Sequence, residues 1–336
     1  MDASSTNGTA GGSPWLWHPD LPHSPLFAWP PRPLEAAIHV LGRSFLWSPT
    51  VMLYVLLSVL TWWSFGPDLA RCVEFEIGWI VQIYAIYMAS VVLTAGGLHL
   101  YFYTFRRQGD ERRFDAVDHH KKDAKFLFGY QLWDNVFWTC ISGVTIATAY
   151  TVVLMWAYAN DLIPWLHWDN SVLSAIWFVL LFPLLIIWEG VQFFLVHRLL
   201  HMKWLYRWHA LHHRNISPGP WSGLSMHPIE HVLYFSNALI HVVVATHPIH
   251  MLFTLYYTQL AAITSHVGYE GVRYKGRQLV GLGDFLHQLH HRFFDCNYGA
   301  KSIPLDAWFD CLHDGTEEAS ARLRAGQRAK RQRASA

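Results

Sequence analysis

Charge is scarce in this chain: 15% of its 336 residues are Asp, Glu, Lys or Arg, while 52% are hydrophobic. That balance argues against a pair of soluble domains and for a membrane protein. The net charge of +1 carries no signal for nucleic acid, which is left out of the expected partners. Cysteine is equally sparse. Cys72, Cys140, Cys296 and Cys311 make no C-x2-C pair, and Cys140 lies in an apolar stretch. A disulfide framework is therefore not expected, and a reduced, cytoplasm-facing site fits better. The chain has no G-x-G-x-x-G turn, no cysteine set for an iron–sulfur cluster and no H-P-G-G haem signature. Redox chemistry here would need electrons from outside. The Ser/Gly/Pro-rich start lacks a basic stretch followed by an apolar core. This argues against a cleaved signal peptide and for a disordered or interfacial segment over residues 1–47. No solenoid-length repeat is present.

What the chain has is histidine. Fourteen of its 22 histidines fall between His197 and His291. His197 and His201 form H-x3-H; His209, His212 and His213 form H-x2-H-H, and His287, His290 and His291 repeat it. On a helix, residues three and four apart share a face, so each cluster aims its imidazoles at one point. Neutral imidazole is the commonest biological metal ligand, and eight of them suffice for two ions with nitrogen ligands. Imidazole alone tolerates iron, zinc or copper, so the spacing does not select the metal. Isolated histidines read as core or interface residues: His18, His23, His39, His167 and His313, and also His99, His241, His247 and His250. His119-His120, beside Lys121-Lys122, reads as a solvated charge run.

Four stretches are long enough to cross ~30 Å of hydrocarbon as helices. They run roughly over Pro49–Phe65, Ile77–Phe105, Leu132–Tyr158 and Ser171–Leu195. The expected fold is thus all-α, with four transmembrane helices over residues 48–200 and a basic loop at 106–129. That loop holds seven Lys and Arg residues, and the 159–170 loop holds none. By the positive-inside tendency both termini, the 106–129 loop and everything after His197 face the cytoplasm. This predicts a multi-pass protein of the plasma membrane or endoplasmic reticulum. Thr246-His-Pro-Ile-His250 splits the apolar run 232–264 into two short arms, which predicts a re-entrant hairpin. The histidine-rich region over 197–315 and a basic tail over 316–336 follow.

At these residues the sequence resembles the fatty acid hydroxylase/sterol desaturase superfamily of membrane di-iron oxygenases. The resemblance runs from about Trp188 to Leu312. It rests on H-R-x-x-H, two H-x2-H-H runs in order, and Asn297-Tyr298-Gly299 after the last. Trp221–Pro228 and Ser265–Gly268 also look like family segments. The resemblance implies four membrane helices carrying a cytosolic helical cap that holds two iron ions, with O2 as co-substrate and attack on an unactivated C–H bond of a lipid; the imidazole set leaves zinc as the alternative metal in the purified protein. It implies His197, His201, His209, His212, His213, His287, His290 and His291 as ligands, with His227 and His266 added and His231 less certain. Some family members carry another histidine four residues before the position of His266; here Ala262 stands there. An external electron donor is implied, such as cytochrome b5 or a ferredoxin with its reductase. The H-P and N-Y-G segments look most like the sterol-desaturase branch, although fatty acyl, sphingolipid and ether-lipid substrates stay open.

Three further residues are candidates for orienting a ligand: Glu189 near the inner end of the fourth span, Asp284 before His287, and Asn297. Arg106-Arg107 and Arg112-Arg113 either dock an acidic donor or anionic headgroups, or only set topology. Competing readings are a histidine-rich metal transporter or sensor, a bis-histidine haem protein, and a zinc hydrolase. The last would use His227-x-x-Glu230-His231, the H-x-x-E-H pattern in which the acid activates water.

Overall fold

The computed structural model describes residues 15–21, 25, 28, 30–40, 42, 45–117, 122–167, 171–300 and 303–335. His23, the 119–120 histidine pair and the start of the chain lie outside the described residues. The described fold is mostly helical. Helix α1 spans Pro33–Val40 and α2 Pro49–Leu60, the latter continuing through a π-turn at Thr61–Phe65. Ser48 opens α2 by accepting the Val51 N–H, and Pro49 occupies the first turn, where its missing N–H costs nothing.

Three longer helices follow: α3 over Ile77–Thr104, α4 over Gln131–Ala159 and α5 over Val172–Leu200. Each is long and apolar enough to cross a membrane, and the Pro49–Phe65 stretch is shorter. α3 and α4 carry π-helical stretches at Val92–Gly96, Leu100–Thr104 and Trp138–Gly143. α5 is capped by Ser171 and absorbs Pro183 within its length.

Beyond α5 come α6 (Tyr206–His213), α7 (Pro228–Tyr234) and a 3-10 stretch over Phe235–Val242. Then follow α8 (Pro248–Ser265), strands β1 (Gly271–Tyr274) and β2 (Arg277–Gly281), and α9 (Phe285–Phe293). The short α10 (Leu305–Trp308) and the terminal α11 (Glu317–Ser335) close the chain.

The apolar run 232–264 breaks at 243–247, as Pro248 starts a new helix there. Its second arm, α8, is longer than the sequence suggests and is buried almost all round, against α2, α4 and α5. Polar pairs stitch it to its neighbours. Tyr256 shares a 2.7 Å hydrogen bond with Thr61, and Tyr54 one of 3.2 Å with Thr264. Such pairs hold apolar helices together where lipid supplies no hydrophobic drive.

Four details differ from the sequence-based expectation. A two-stranded antiparallel hairpin interrupts the helices at 271–281, turning through Lys275 and Gly276, both with positive φ. Residues 15–21, within the segment expected to be disordered or interfacial, pack against α9. Trp15 is edge-on to Phe285 at 5.4 Å, and Leu16 donates to the Phe114 carbonyl. Arg112 and Arg113 are engaged inside the fold: Arg112 lies 3.5 Å over the Trp17 ring and pairs with Glu270, and Arg113 pairs with Asp110. The tail also joins the fold, with Gln327 of α11 donating to Asp295.

Candidate metal centre

α5 ends by placing His197 and His201 one turn apart, their rings 5.2 Å from one another. α6 adds His209, His212 and His213; α9 adds His287, His290 and His291; His266 caps the C-terminus of α8. The fold brings these nine rings together. One ring nitrogen from each of His197, His201, His209, His213 and His290 lies within 4.8 Å of the others. His212, His266, His287 and His291 form a second such group. All nine are buried except His201, which is half-buried.

The tautomers follow from the partners. A carbonyl oxygen can only accept, so a ring nitrogen facing one carries the proton. Nδ1 of His197 donates to Tyr298 O at 2.8 Å, of His290 to Cys296 O at 2.6 Å, and of His266 to Ala262 O at 2.7 Å. Nδ1 of His212 faces Ser225 O at 3.4 Å. The Nε2 lone pairs of these rings then point inward at one another. His266 Nε2 stands 3.4 Å from His212 Nε2 and 3.1 Å from those of His287 and His291. His290 Nε2 stands 3.0 Å from His213 Nε2 and 3.2 Å from His201 Nε2.

Protonation does not relieve these facing lone pairs. Burial, reinforced by neighbouring imidazoles, holds the rings well below the ordinary histidine range: His266 down to about 4, His201 to about 2, and His209, His212, His213, His287, His290 and His291 far down. A cation between the nitrogens does relieve them. Metal–nitrogen bonds of roughly 2.0–2.1 Å give nitrogen–nitrogen edges of about 3.0 Å in an octahedron and about 3.4 Å in a tetrahedron. The spacings fall in that interval, so the donor set fits metal ions.

The other candidates lie elsewhere. His227 is half-buried at the start of α7, where its Nδ1 accepts the Ile229 N–H, and it joins neither group. His231 is fully buried, with Nδ1 on Ser142 Oγ at 2.8 Å and Nε2 on Leu224 O, tying α7 to α4. Asp284 caps α9 through the N–H groups of Leu286 and His287 and leaves the His287 ring alone. Asn297 braces the following loop, donating to Leu286 O and His313 O while accepting from His313 N–H. Glu189 is buried in α5 with no hydrogen bond to a ring among the described residues.

The acid that does reach one of the converging rings is Glu230. Its Oε1 lies 2.7 Å from His209 Nδ1, with both side chains 2% exposed. Burial pushes the Glu230 carboxyl well up and the His209 ring well down. A cation at His209 Nε2 works the other way, favouring carboxylate and protonated Nδ1. The H-x-x-E-H hydrolase reading needs His227, Glu230 and His231 around one ion. Each has another partner.

Among known proteins, the family model for fatty acid hydroxylase matches residues 182–311. A delta(7)-sterol 5(6)-desaturase of Gibberella zeae is 27% identical over 126 residues, covering 37% of this chain and 38% of that protein. A delta(7)-sterol-C5(6)-desaturase of Nicotiana tabacum is 27% identical over 157 residues, covering 46% of this chain and 55% of that protein. The chain thus spans little over half the length, or less, of these curated relatives. No solved structure matches it. These family names are those of oxidoreductases. All nine converging histidines lie within the region 182–311 that matches the fatty acid hydroxylase family model.

Proposed function

We propose that this protein is a membrane-bound, di-iron, O2-dependent lipid hydroxylase or desaturase. The observation that carries the reading is the inward convergence of nine imidazoles, eight of them buried, in groups of five and four. The proposed ligands are His197, His201, His209, His213 and His290 for one ion, and His212, His266, His287 and His291 for the other. Iron is preferred over zinc because the matched family names describe oxidations. When bound, the pair of ions supplies the O2 activation needed to break an unactivated C–H bond.

The chain's own part is to hold, orient and exclude water. Glu230 and four backbone carbonyls keep protons on Nδ1, so that Nε2 faces inward. Phe193 lies 5.0 Å from the His197 ring and 6.2 Å from His287, and Phe294 lies 4.9 Å from His213. These rings present hydrocarbon beside the centre, the surroundings that a lipid carbon needs. Hydroxylation and desaturation share the first hydrogen abstraction and diverge on substrate placement of about an ångström.

In the proposed topology Pro49–Phe65 and the three longer helices span the bilayer, and residues 232–264 form the re-entrant hairpin. Both termini and the centre face the cytoplasm, which meets the positive-inside tendency. The substrate is a sterol or fatty-acyl-type lipid, the sterol preferred on the names of the two relatives. Electrons come from a separate donor of cytochrome b5 or ferredoxin type. A metal transporter or sensor would need exchangeable ligands, which burial of eight of the nine rings opposes.

The test is lipid mass spectrometry of cells with and without the protein, together with metal analysis of the purified chain. The expected results are a lipid that gains one oxygen atom or loses two hydrogens, and two tightly held ions per chain. An unchanged lipidome under aerobic expression with an electron donor would overturn the assignment.

A further inference from the structure

An apolar groove of about 360 Å³ opens on the outside of the molecule between α2, α3 and the β1–β2 hairpin. Its size falls in the range of roughly 300–1,000 Å³ typical of small-molecule sites. Leu53 of α2 and Leu93 and Leu98 of α3 form its sides, and Val272 and Val280 of the hairpin close one end. Tyr54 and Thr264 line its inner end, joined by their 3.2 Å hydrogen bond. Thr264 is two residues before His266, and its carbonyl accepts the Gly283 N–H at the base of α9. The groove therefore ends on the backbone that carries one imidazole of the four-ring group. Room is left by Gly97: a Cβ built there meets nothing within 4 Å.

We infer that this groove is the opening through which one bilayer lipid chain reaches the dimetal centre, an inference that rests on the functional reading above. The occupant follows from the surroundings. The walls are faces of two helices that lie in the bilayer under the proposed topology, and their apolar side chains continue outward, with Leu53 43% and Leu93 75% exposed. An apolar groove in that position is filled by hydrocarbon, since burying polar groups there without partners is costly. The hairpin sits at the headgroup level, with Tyr274 and Leu279 exposed near Lys275 and Arg277, an arrangement suited to the interface. Thr264 Oγ1 donates to Ala261 O, so the Tyr54 hydroxyl donates to Thr264 and keeps lone pairs that can accept from a hydroxyl on the lipid. The pair otherwise separates the groove from Tyr257, whose ring is 5.8 Å from that of Tyr54.

The experiment uses the full-length, metal-loaded protein in phosphatidylcholine nanodiscs, with a diazirine-bearing long-chain fatty alcohol as photoreactive probe and peptide mass spectrometry as readout. Adducts are expected to concentrate on residues 49–54 and 93–98. Gly97→Trp should remove them several-fold without changing metal content. Leu53→Trp, on the opposite wall, should do the same and guards against a folding defect in the first variant. Val81→Trp, on the exposed face of α3 away from the groove, should leave labelling unchanged. Labelling of the groove no denser than that of the outward face of α5, or undiminished in both filled variants, would overturn the inference. Lipid oxidation, once assigned, should fall by about a hundred-fold in the filled variants. Unchanged turnover in both filled variants would equally overturn it. A wild-type protein that oxidises no lipid would defeat the functional reading instead, while the labelling still decides whether the groove binds lipid.

Discussion

Glu230 offers the sharpest test of how the centre is built. Its Oε1 accepts from His209 Nδ1, and its Oε2 is buried with no side-chain partner among the described residues. Glu230→Gln keeps the shape and an acceptor oxygen but removes the charge. Hydrogen bonds to charged groups contribute about 1.5–3 kcal/mol against about 0.5–1.5 for neutral ones, so the substitution costs the His209 bond about 1–1.5 kcal/mol. That corresponds to a metal affinity weaker by about ten-fold. Glu230→Ala also strands the Nδ1–H, raising the loss toward about a hundred-fold, the upper range for losing a partner of a metal-bound histidine. Chelator competition followed by elemental analysis measures both variants directly. In the H-x-x-E-H hydrolase reading the acid activates water and binds no histidine, so the same variants would keep their metal. Wild-type metal retention in both would refute the orienting role.

Further expectations follow from the same structure. His290→Ala removes a ring whose Nε2 stands within 3.2 Å of those of both His201 and His213, and should cost one ion per chain while membrane insertion persists; full occupancy by elemental analysis would contradict the five-ring grouping. Arg214 grips the fully buried Asp134 through two 2.7 Å contacts. Arg214→Ala, which leaves that acid unpaired, should destabilise by about 3–5 kcal/mol, read as a lowered midpoint in detergent melts. The metal-free protein should also weaken in acid. A histidine whose folded pKa is lowered takes its proton first in the unfolded state, so its contribution is complete above about 6.5 and drains away as pH falls toward the folded value. For His266, held at about 4, the loss between about pH 7.5 and pH 5.5 is about 1.4 kcal/mol. A melting midpoint that holds or rises over that interval would contradict the sign.

The helical spacing of His197/His201, His209/His212/His213 and His287/His290/His291 was legible in the sequence because a helix turns i and i+3 or i+4 onto one face. His266 was legible only through family resemblance, since a lone histidine at a helix end carries no periodic signal. The carbonyls of Tyr298, Cys296 and Ala262 were invisible, because every residue has one and only the fold aims it. Ala262 makes the point well: an alanine, silent in any motif, here supplies a backbone oxygen to the ring four residues on. The Glu230 motif suggests water activation, whereas its neighbour in the fold is His209. Asp284 has the opposite history; three residues before His287 it looked like a partner for the ring and serves the helix start instead. The Tyr274-Lys-Gly-Arg277 turn carried a readable hairpin signal, masked by the surrounding expectation of helix.

Under the proposed assignment the two ion positions differ in their reach to the outside. His201 alone among the nine rings keeps partial contact with the exterior, and it belongs to the larger group. Whatever arrives from the aqueous side, whether an incoming ion, a chelator or a reductant, therefore meets that group before the other. Loading should be sequential and stripping should run in the same spatial order, leaving the enclosed four-nitrogen position as the last to empty.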